Sequence, residues 1–418
     1  MTGAEEKKRL AKNIFSLTIL QVANYILPLL TIPYLVRVLG PEYFGLLAFA
    51  TSTITYFVLI TNYGFNLSAT RQISIHRNDR DKVAEIFSAV MTIKTGLMVV
   101  SFVLMALLVF SFEKFSRHWE VYFITFGVVI GQVLFPVWLF QGMEQMKYIT
   151  YLNIGAKTFF TGCIFIFVQG EADYLLVPLL TTMGFVFASF YSLYLVRNEL
   201  NVNFSWQPAA AIKLQLEEGF HVFFSSMVIS LYTISTTFLL GLFTNNVAVG
   251  YFAAADKIVQ AVRGLYAPIS EGIYPLIGKK IHEDKQAGLK FIENITWIVS
   301  AGMFVISALL FLLAGPIVDL IFGANFQQSV LLLQVMAFLP LIISLSNIYG
   351  IQTILNLGFK KEFSYILIAA AILGVGLTFT LVPVYEALGT AITILITESF
   401  VAAVMYLFLK LKLKEIHE

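Results

Sequence analysis

The chain contains 418 residues, of which 58% are apolar and only 12% are charged, and its mean hydropathy is +0.83. This composition excludes a soluble globular domain. The formal net charge is only +2, and the single cysteine, Cys163, cannot form an intrachain disulfide. The sequence has no nucleotide-binding loop, zinc-ligand pattern or catalytic triad. We therefore predict no enzymatic activity, bound metal, organic cofactor or nucleic-acid partner.

Twelve apolar stretches follow one another along the chain, each long enough to cross about 30 Å of hydrocarbon as a helix. They cover residues 13–36, 43–63, 86–112, 120–140, 149–169, 175–196, 219–243, 249–277, 291–313, 329–350, 363–383 and 388–409. The first stretch has no small-residue cleavage site and is predicted to be an uncleaved span. The connections on the outside are short, so function is expected inside the helical bundle.

Lysine and arginine residues are distributed unevenly between the two sides of these spans. If the N-terminus is cytoplasmic, the inside segments contain 20 of the 27 basic residues, and the outside loops contain only Arg37, Lys114 and Arg117. The positive-inside rule therefore predicts that both termini are cytoplasmic. The basic loops are expected to face the anionic lipids of the inner leaflet.

The chain divides into two halves of six predicted spans. We predict an N-lobe over residues 1–197, a cytoplasmic linker over 198–218 and a C-lobe over 219–418. A repeat at an offset of 205 residues aligns 44–50 with 249–255, including the pair Gly45 and Gly250. Both halves start inside, as a parallel repeat requires. The predicted fold is an all-α membrane protein of twelve transmembrane helices, in two six-helix lobes related by a pseudo-two-fold axis along the membrane normal.

Four basic residues lie within predicted spans, namely Lys94, Lys157, Lys257 and Arg263. A basic side chain in the middle of a bilayer costs about 2.5–3.5 kcal/mol on insertion scales, so each is expected to face protein or water. Apart from Glu120, the first residue of the fourth span, the predicted spans of the first half contain no acidic residue, so Lys94 and Lys157 are expected to have no acidic partner inside the membrane from their own lobe. Lys94 could alternatively extend toward a membrane surface.

The eighth span contains Asp256, Lys257, Arg263 and Glu271, which fall within an arc of about 120° at 100° per residue. Such a face is not expected to contact lipid. Neutralisation of Arg263 by Asp256 is the plain structural alternative. Glu398, in the twelfth span, could pair with this helix or bind a proton or Na⁺. Four buried positive charges against three negative ones favour an anionic ligand, and phosphate is the usual partner of Lys and Arg.

Prolines and amides within the spans leave structural and functional interpretations open. Pro136, Pro268 and Pro340 are expected to bend helices or to be merely tolerated in them. The amides could bind sugar hydroxyls or form hydrogen bonds between helices. They are Gln21, Asn24, Asn62, Gln132, Asn153, Asn347 and Gln352.

Three segments resemble one bacterial family. They run from Pro33 to Gly45 (PYLVRVLGPEYFG), from Asn62 to Ser74 (NYGFNLSATRQIS) and from Gly250 to Ser270 (GYFAAADKIVQAVRGLYAPIS). They are similar to the polysaccharide transporter family, the O-antigen flippases, of the superfamily that also contains multidrug exporters and lipid II flippases. The resemblance covers the whole twelve-span layout, although lipid II flippases usually have two further spans.

The resemblance implies movement of an undecaprenyl-diphosphate-linked oligosaccharide across the bacterial inner membrane, by alternating access coupled to H⁺ or Na⁺. It implies a cationic lumen, in which the matching motifs contribute Arg37, Asn62, Arg71, Asp256, Lys257 and Arg263. The predicted substrate-binding residues are Lys94, Lys157, Lys257, Arg263, Arg37, Asn62 and Arg71, and the predicted ion-coupling residues are Asp256, Glu271 and Glu398. Membrane lipids and a downstream glycan polymerase are the candidate partners, and a monomer is expected.

Three other functions compete with this interpretation. An ion-coupled multidrug efflux antiporter belongs to the same superfamily, but a cation exporter is expected to have an acidic lumen without unpaired lysines. A glycan polymerase or ligase needs a large outside loop with catalytic Arg or His, whereas the outside loops here contain three basic residues and His118. A membrane scaffold gives no reason for four buried cations.

Overall fold

The computed structural model describes the backbone of residues 3–233 and 235–417. Side chains are described from residue 19 to residue 412, apart from residues 22, 25, 26, 225, 226, 228, 229, 231–234 and 271. Every regular element in these ranges is helical. The α-helices are α1 (Gly3–Asn62), α2 (Phe65–His76), α3 (Arg80–Ser111), α4 (Glu113–Ser116), α5 (Trp119–Leu134), α6 (Val137–Gly142), α7 (Met146–Phe167), α8 (Leu176–Asn198), α9 (Ala209–Thr233), α10 (Ser235–Phe243), α11 (Asn246–Glu283), α12 (Lys285–Leu312), α13 (Ala314–Ile321), α14 (Gln328–Met336), α15 (Leu339–Asn347) and α16 (Lys360–His417). Short 3₁₀ helices cover Glu171–Asp173 and Ala324–Phe326, and a π-helix covers Ile348–Ile354.

The two longest helices are each interrupted once. At 1.5 Å per residue, the 60 residues of α1 would reach about 90 Å, roughly three times the hydrocarbon thickness. Gly40, with φ 65° and ψ 177°, breaks α1, and Glu386, with φ 49° and ψ −125°, breaks α16. Each long helix therefore supplies two segments of membrane-spanning length.

Eight segments of the described chain are long and apolar enough to cross a membrane. They are Leu27–His76, Arg80–Ser111, Trp119–Gly142, Met146–Phe167, Glu171–Asn198, Lys285–Leu312, Gln328–Ile354 and Lys360–Lys412. The first and the last contain the breaks at Gly40 and Glu386. The prediction of an all-α, multi-pass membrane protein is confirmed, and the count of twelve spans stays a prediction.

The first compact unit consists of Met1–Leu39 and Ala50–Ser230. Its core contains the fully buried side chains of Phe65, Ile73 and Trp138, from α2 and α6. The exposed apolar side chains of α3, such as Val99, Val103 and Leu107, remain on the surface, as expected of a helix that faces lipid.

The second compact unit consists of Gly40–Phe49 and Leu231–Glu418. It is arranged around α11, which contacts α10, α12, α14, α15 and α16. The 38 residues of α11 reach about 57 Å, so this helix extends beyond the hydrocarbon. Its two prolines, Pro268 and Pro275, lie inside continuous helix, so the bend that Pro268 could cause does not interrupt α11.

Within the second unit, two segments cross at glycines that the sequence repeat aligns. A Cβ atom on Gly45 would lie under 3.0 Å from the carbonyl oxygen of Asn246, and one on Gly250 would lie equally close to the carbonyl oxygen of Pro41. The 205-residue offset carries Gly45 onto Gly250 and Pro41 onto Asn246. The contact of Gly45 with Asn246 is therefore equivalent to the contact of Gly250 with Pro41, as it would be if a two-fold axis related the two segments.

The two units divide the chain at different residues from the predicted lobes. Segment 40–49 belongs to the second unit, because the break at Gly40 redirects the chain onto α11. The start of α9 belongs to the first unit, where the ring of Tyr63 stacks on Phe223 at 4.8 Å. The predicted linker 198–218 is partly packed, since Val202 is buried and the Ser205 amide donates to Ser88 Oγ at 3.0 Å.

Prolines have different effects in other helices. The chain leaves helical geometry at Phe135 and Pro136, between α5 and α6. Pro340 lies in the first turn of α15, where a missing amide hydrogen costs nothing. Pro28 and Pro33 lie inside α1, away from its break.

Candidate functional site

The second unit contains a cavity of about 190 Å³ between α10, α11, α15 and α16. Three charged side chains line it, those of Asp256 and Arg263 from α11 and Glu398 from α16. Its remaining lining combines aliphatic side chains with hydroxylated ones, the latter including Ser235, Thr378, Thr393 and Thr397. The structure thus brings together two predicted ion-coupling residues and one predicted substrate-binding residue.

The carboxylate of Asp256 accepts a hydrogen bond from a side chain of the same helix. Gln260, one turn further along α11, donates from Nε2 to Asp256 Oδ2 at 2.6 Å. Gln and Asp four residues apart on a helix are a favourable hydrogen-bonding pair. A neutral amide forms this hydrogen bond, while Arg263 and Lys257 also attract the carboxylate electrostatically, so neutralisation of Asp256 with Arg263 stays an alternative prediction.

The wall formed by α16 presents hydroxyl oxygens next to Glu398. Thr393 and Thr397 are buried, and their hydroxyls donate to the carbonyls of Gly389 and Thr393 at 2.8 and 2.7 Å. A hydroxyl that donates to the backbone still has lone pairs with which to accept. Together with the two carboxylates, the cavity offers oxygen ligands suited to a hard cation or a proton. Among the described residues, no cluster of three or more His, Cys, Asp or Glu is present.

The other charged residues of α11 lie apart from this cavity. Lys257 is exposed and does not line it, although it follows Asp256 directly. Adjacent side chains on a helix point about 100° apart. Of the residues in the arc predicted from the sequence, Asp256 and Arg263 therefore line the cavity, whereas Lys257 points away from it. The side chain of Glu271 lies outside the described residues.

Lys157 projects from α7 in the first unit. Its Nζ donates to Asn24 Oδ1 at 2.7 Å, and it lies 6.0 Å from the centre of the Phe185 ring. The lysine is half-buried, and its partner is a neutral amide. An amide does not neutralise an ammonium group, and among the described side chains Lys157 forms no ion pair, so its role in binding an anionic ligand stays a prediction.

Lys94 is enclosed by protein. Its side chain is 1% exposed, and Nζ lies 3.3 Å from the carbonyl oxygen of Gln132 on α5. Sequence reasoning expected this residue to face protein or water. The structure shows protein, and extension toward a membrane surface is excluded.

Three further residues of the motifs that carry the resemblance lie elsewhere. Arg37 is exposed, three residues before the break in α1. Asn62 is half-buried at the end of α1, and Arg71 is exposed on α2. None of the three lines the cavity of the second unit, and their roles in binding stay predictions.

Besides Asn24, two of the predicted intramembrane amides form hydrogen bonds between helices. Asn347 Oδ1 accepts from Tyr266 at 3.1 Å and from Ser270 at 2.7 Å, and Gln352 Nε2 donates to the Ser270 carbonyl at 2.9 Å. These bonds join α11 to α15 and to the π-helix. For Asn347 and Gln352 the interpretation as helix-packing residues describes what is observed.

Sequence reasoning missed several side chains of these sites. Gln260 could have been found from its spacing of four residues from Asp256. Thr393 and Thr397 have the same spacing and precede Glu398, but threonine is common in membrane helices and gives a weak signal. Asn24 was noted only as an amide, because no local pattern connects it with Lys157, 133 residues away.

The apolar spans surround charged side chains that face a cavity or the protein interior and not lipid. This arrangement defines a multi-pass membrane protein of the transporter class. The sequence model of the family described as "Polysaccharide biosynthesis protein" matches residues 10–281. A protein of Escherichia coli (strain K12) is 35% identical over 404 residues, covering 97% of each chain. A protein of Shigella dysenteriae is 31% identical over 397 residues, covering 94% of this chain and 98% of that one. Both are named "Putative O-antigen transporter". The chain belongs to the polysaccharide biosynthesis protein family.

Solved structures show the same fold at low identity. The lipid II flippase MurJ in an inward closed conformation has a TM-score of 0.71 at 14% identity, covering 94% of this chain and 87% of that one. A multidrug resistance MATE family transporter in an inward-facing conformation has a TM-score of 0.69 at 14% identity, covering 97% and 99%. The predicted two-lobed, all-α fold is thereby confirmed.

Proposed function

We propose that this protein is a flippase that moves an undecaprenyl-diphosphate-linked oligosaccharide from the cytoplasmic to the outer leaflet of the bacterial inner membrane by alternating access. Similarity over nearly the whole chain to proteins named as O-antigen transporters carries the proposal. The excess of basic residues in the inside loops supports an orientation with both termini in the cytoplasm.

Basic side chains are the proposed ligands of the diphosphate. Lys157 is half-buried and bonded to a neutral amide, and Arg263 reaches the cavity of the second unit. Phosphate oxygens form short, charge-assisted hydrogen bonds with ammonium and guanidinium groups, and Arg can bind two oxygens at once. Lys257, Arg37, Asn62 and Arg71 are exposed or half-buried and remain candidates for contacts along the route.

The direct test is transport by the purified protein in liposomes. A lipid-linked oligosaccharide of defined structure, added to one leaflet, is expected to become accessible to a glycan-cleaving enzyme on the other side. Liposomes containing a Lys157→Met variant serve as the matched control. Equal rates in protein-containing and protein-free liposomes would refute the proposal.

A multidrug antiporter is the second candidate, and one observation favours it. The cavity of the second unit contains two carboxylates and one guanidinium, a balance that suits a cationic ligand. The same liposomes distinguish the two functions, because an antiporter is expected to move a fluorescent organic cation and to leave the lipid-linked oligosaccharide in place.

Asp256 and Glu398 are the proposed ion-coupling residues. Both line the cavity together with threonine hydroxyls, where a proton or Na⁺ could bind in one conformation and be released in the other. To shift the populations of two conformations from 1:99 to 99:1, an ion must bind one conformation about 5.5 kcal/mol more tightly than the other. The attraction between one buried cation and two carboxylates can supply much of this difference.

Glu398→Gln is expected to flatten the dependence of transport on pH or on Na⁺, because glutamine keeps the shape of the side chain and cannot carry the charge. Flux in liposomes across a series of pH and Na⁺ values measures this. Glu386→Gln is the control on the same helix, since Glu386 is exposed and does not line the cavity. An unchanged profile for Glu398→Gln would remove this residue from the coupling site.

A further inference from the structure

Lys94 approaches a break between two helices of the first unit. Helix α5 ends at Leu134, the backbone is extended at Phe135, and α6 begins at Val137 after Pro136. Lys94, on α3, directs its ammonium group to the Gln132 carbonyl at 3.3 Å. Gln132 is four residues before Pro136, so its carbonyl is the one that the amide of residue 136 would normally satisfy.

The break leaves helix carbonyls without backbone donors. Proline has no amide hydrogen, so the usual bond from residue 136 to Gln132 cannot form. The next bond is also lost, because the Val137 amide donates to Phe135 at 2.9 Å and not to Val133. Inside a membrane no water replaces such bonds, and breaks are tolerated where neighbouring side chains satisfy the freed groups.

The charge of Lys94 matches this position as well. The C-terminal end of a helix carries about half a negative charge, and a cation near the last turn is stabilising. The side chain is 1% exposed, and within the described part of the chain its hydrogen-bond partner is the Gln132 carbonyl. A buried ammonium group with this partner has little room for a diphosphate.

We infer that Lys94 is a positioning residue that caps the C-terminus of α5 and thereby holds the break at Pro136. Through this break it sets the direction of α6. Helix α6 in turn packs on α2, where Thr70 donates to the Trp138 carbonyl at 3.2 Å and a Cβ on Gly142 would touch Ile73. The inference replaces the expectation that Lys94 binds the transported substrate.

The inference makes the effect of Lys94 depend on Pro136. Lys94→Met leaves a buried carbonyl without a donor and is expected to lower the melting temperature of the detergent-purified protein by about 1–3 °C. Pro136→Ala supplies an amide hydrogen at the position that Gln132 requires. In the Pro136→Ala background, Lys94→Met is therefore expected to lower the melting temperature by less than half as much.

Equal shifts in the two backgrounds would overturn the inference. Lys157→Met is the control in the same unit, because the ammonium group of Lys157 is half-buried and bonds to Asn24, away from the break at Pro136. Its shift is expected to be the same in the native and Pro136→Ala backgrounds. If Lys94→Met does not accumulate in the membrane, the amount of protein becomes the measurement, and Pro136→Ala must restore it.

A binding measurement separates capping from substrate recognition. The affinity of the purified protein for undecaprenyl diphosphate is expected to change less than about twofold in the Lys94→Met, Pro136→Ala double variant. A loss of tenfold or more would show that Lys94 contacts the diphosphate and would overturn the inference. The melting-temperature cycle does not depend on which substrate is transported, so its outcome is independent of the proposed flippase function.

Discussion

Gly250→Val is expected to prevent accumulation of the folded protein, and Gly250→Ala to destabilise it by about 1–2 kcal/mol. A Cβ at this position would meet the backbone of Pro41, which cannot rotate away as a flexible side chain could. Overpacking usually costs about 1–3 kcal/mol, and a helix-propensity gain of about 0.5–1 kcal/mol offsets only part of it. Thermal unfolding of the detergent-purified variants, followed by size-exclusion chromatography, measures the effect.

Gly272→Ala is the control on the same helix, because a Cβ there would meet no atom within 4 Å. This substitution is expected to leave stability unchanged or to raise it slightly. Gly45→Ala is expected to match Gly250→Ala, since the two contacts are equivalent. The double variant is expected to cost less than the sum, because one separation of the two backbones relieves both clashes. Strict additivity, or a neutral Gly250→Ala, would contradict the crossing.

Lys157→Met is expected to reduce delivery of glycan to the cell surface by about ten- to a hundredfold, with the protein inserted at normal levels. A hydrogen bond to a charged group contributes about 1.5–3 kcal/mol, and each 1.4 kcal/mol is a factor of ten in affinity. Surface polysaccharide in a knockout strain complemented with each variant is the measurement. Lys279→Ala is the control, because that lysine is exposed and lies 3.6 Å from Glu283.

Asn24→Asp tests whether the charge of Lys157 or its packing matters. The substitution keeps the lysine and places a carboxylate where Asn24 Oδ1 now accepts at 2.7 Å. If Lys157 serves an anionic ligand, neutralisation by this carboxylate is expected to reduce delivery nearly as far as Lys157→Met does. If Lys157 only joins α7 to α1, Asn24→Asp strengthens that contact and delivery stays normal, which would refute its role in binding.

The class of fold could be predicted because it depends on properties that a sequence displays directly. Apolar length fixes which segments can enter the membrane, and a break at Pro136 follows from the missing amide hydrogen. Other prolines show the limit of this reasoning. Pro268 and Pro275 have the same chemistry, yet α11 continues through both. Whether a proline breaks a membrane helix depends on which neighbouring groups satisfy the backbone, and these are distant in sequence.

The charged residues were found from the sequence, but their surroundings were not. Asp256, Arg263 and Glu398 share a cavity, as a single charged face on the eighth span suggested. The same argument also placed Lys257 on this face, although Lys257 lies outside the cavity. Helical periodicity gives the direction of a side chain around its own helix, but it does not show which helix packs there. For Lys94 the sequence indicated an intramembrane cation, and only the structure shows that a helix carbonyl, 38 residues away, is its partner.

The crossing at Gly45 and Gly250 also bears on the ancestry of the chain. Contacts that pair i with j and j with i are the form that an interface takes between two identical subunits in a homodimer. Around these glycines the repeat keeps only three identities in seven aligned positions. Such a contact is expected if a six-span ancestor dimerised through this glycine and was later fused to its own copy. Because no Cβ atom fits at the crossing, the glycine would be retained in both halves after most of the sequence had diverged.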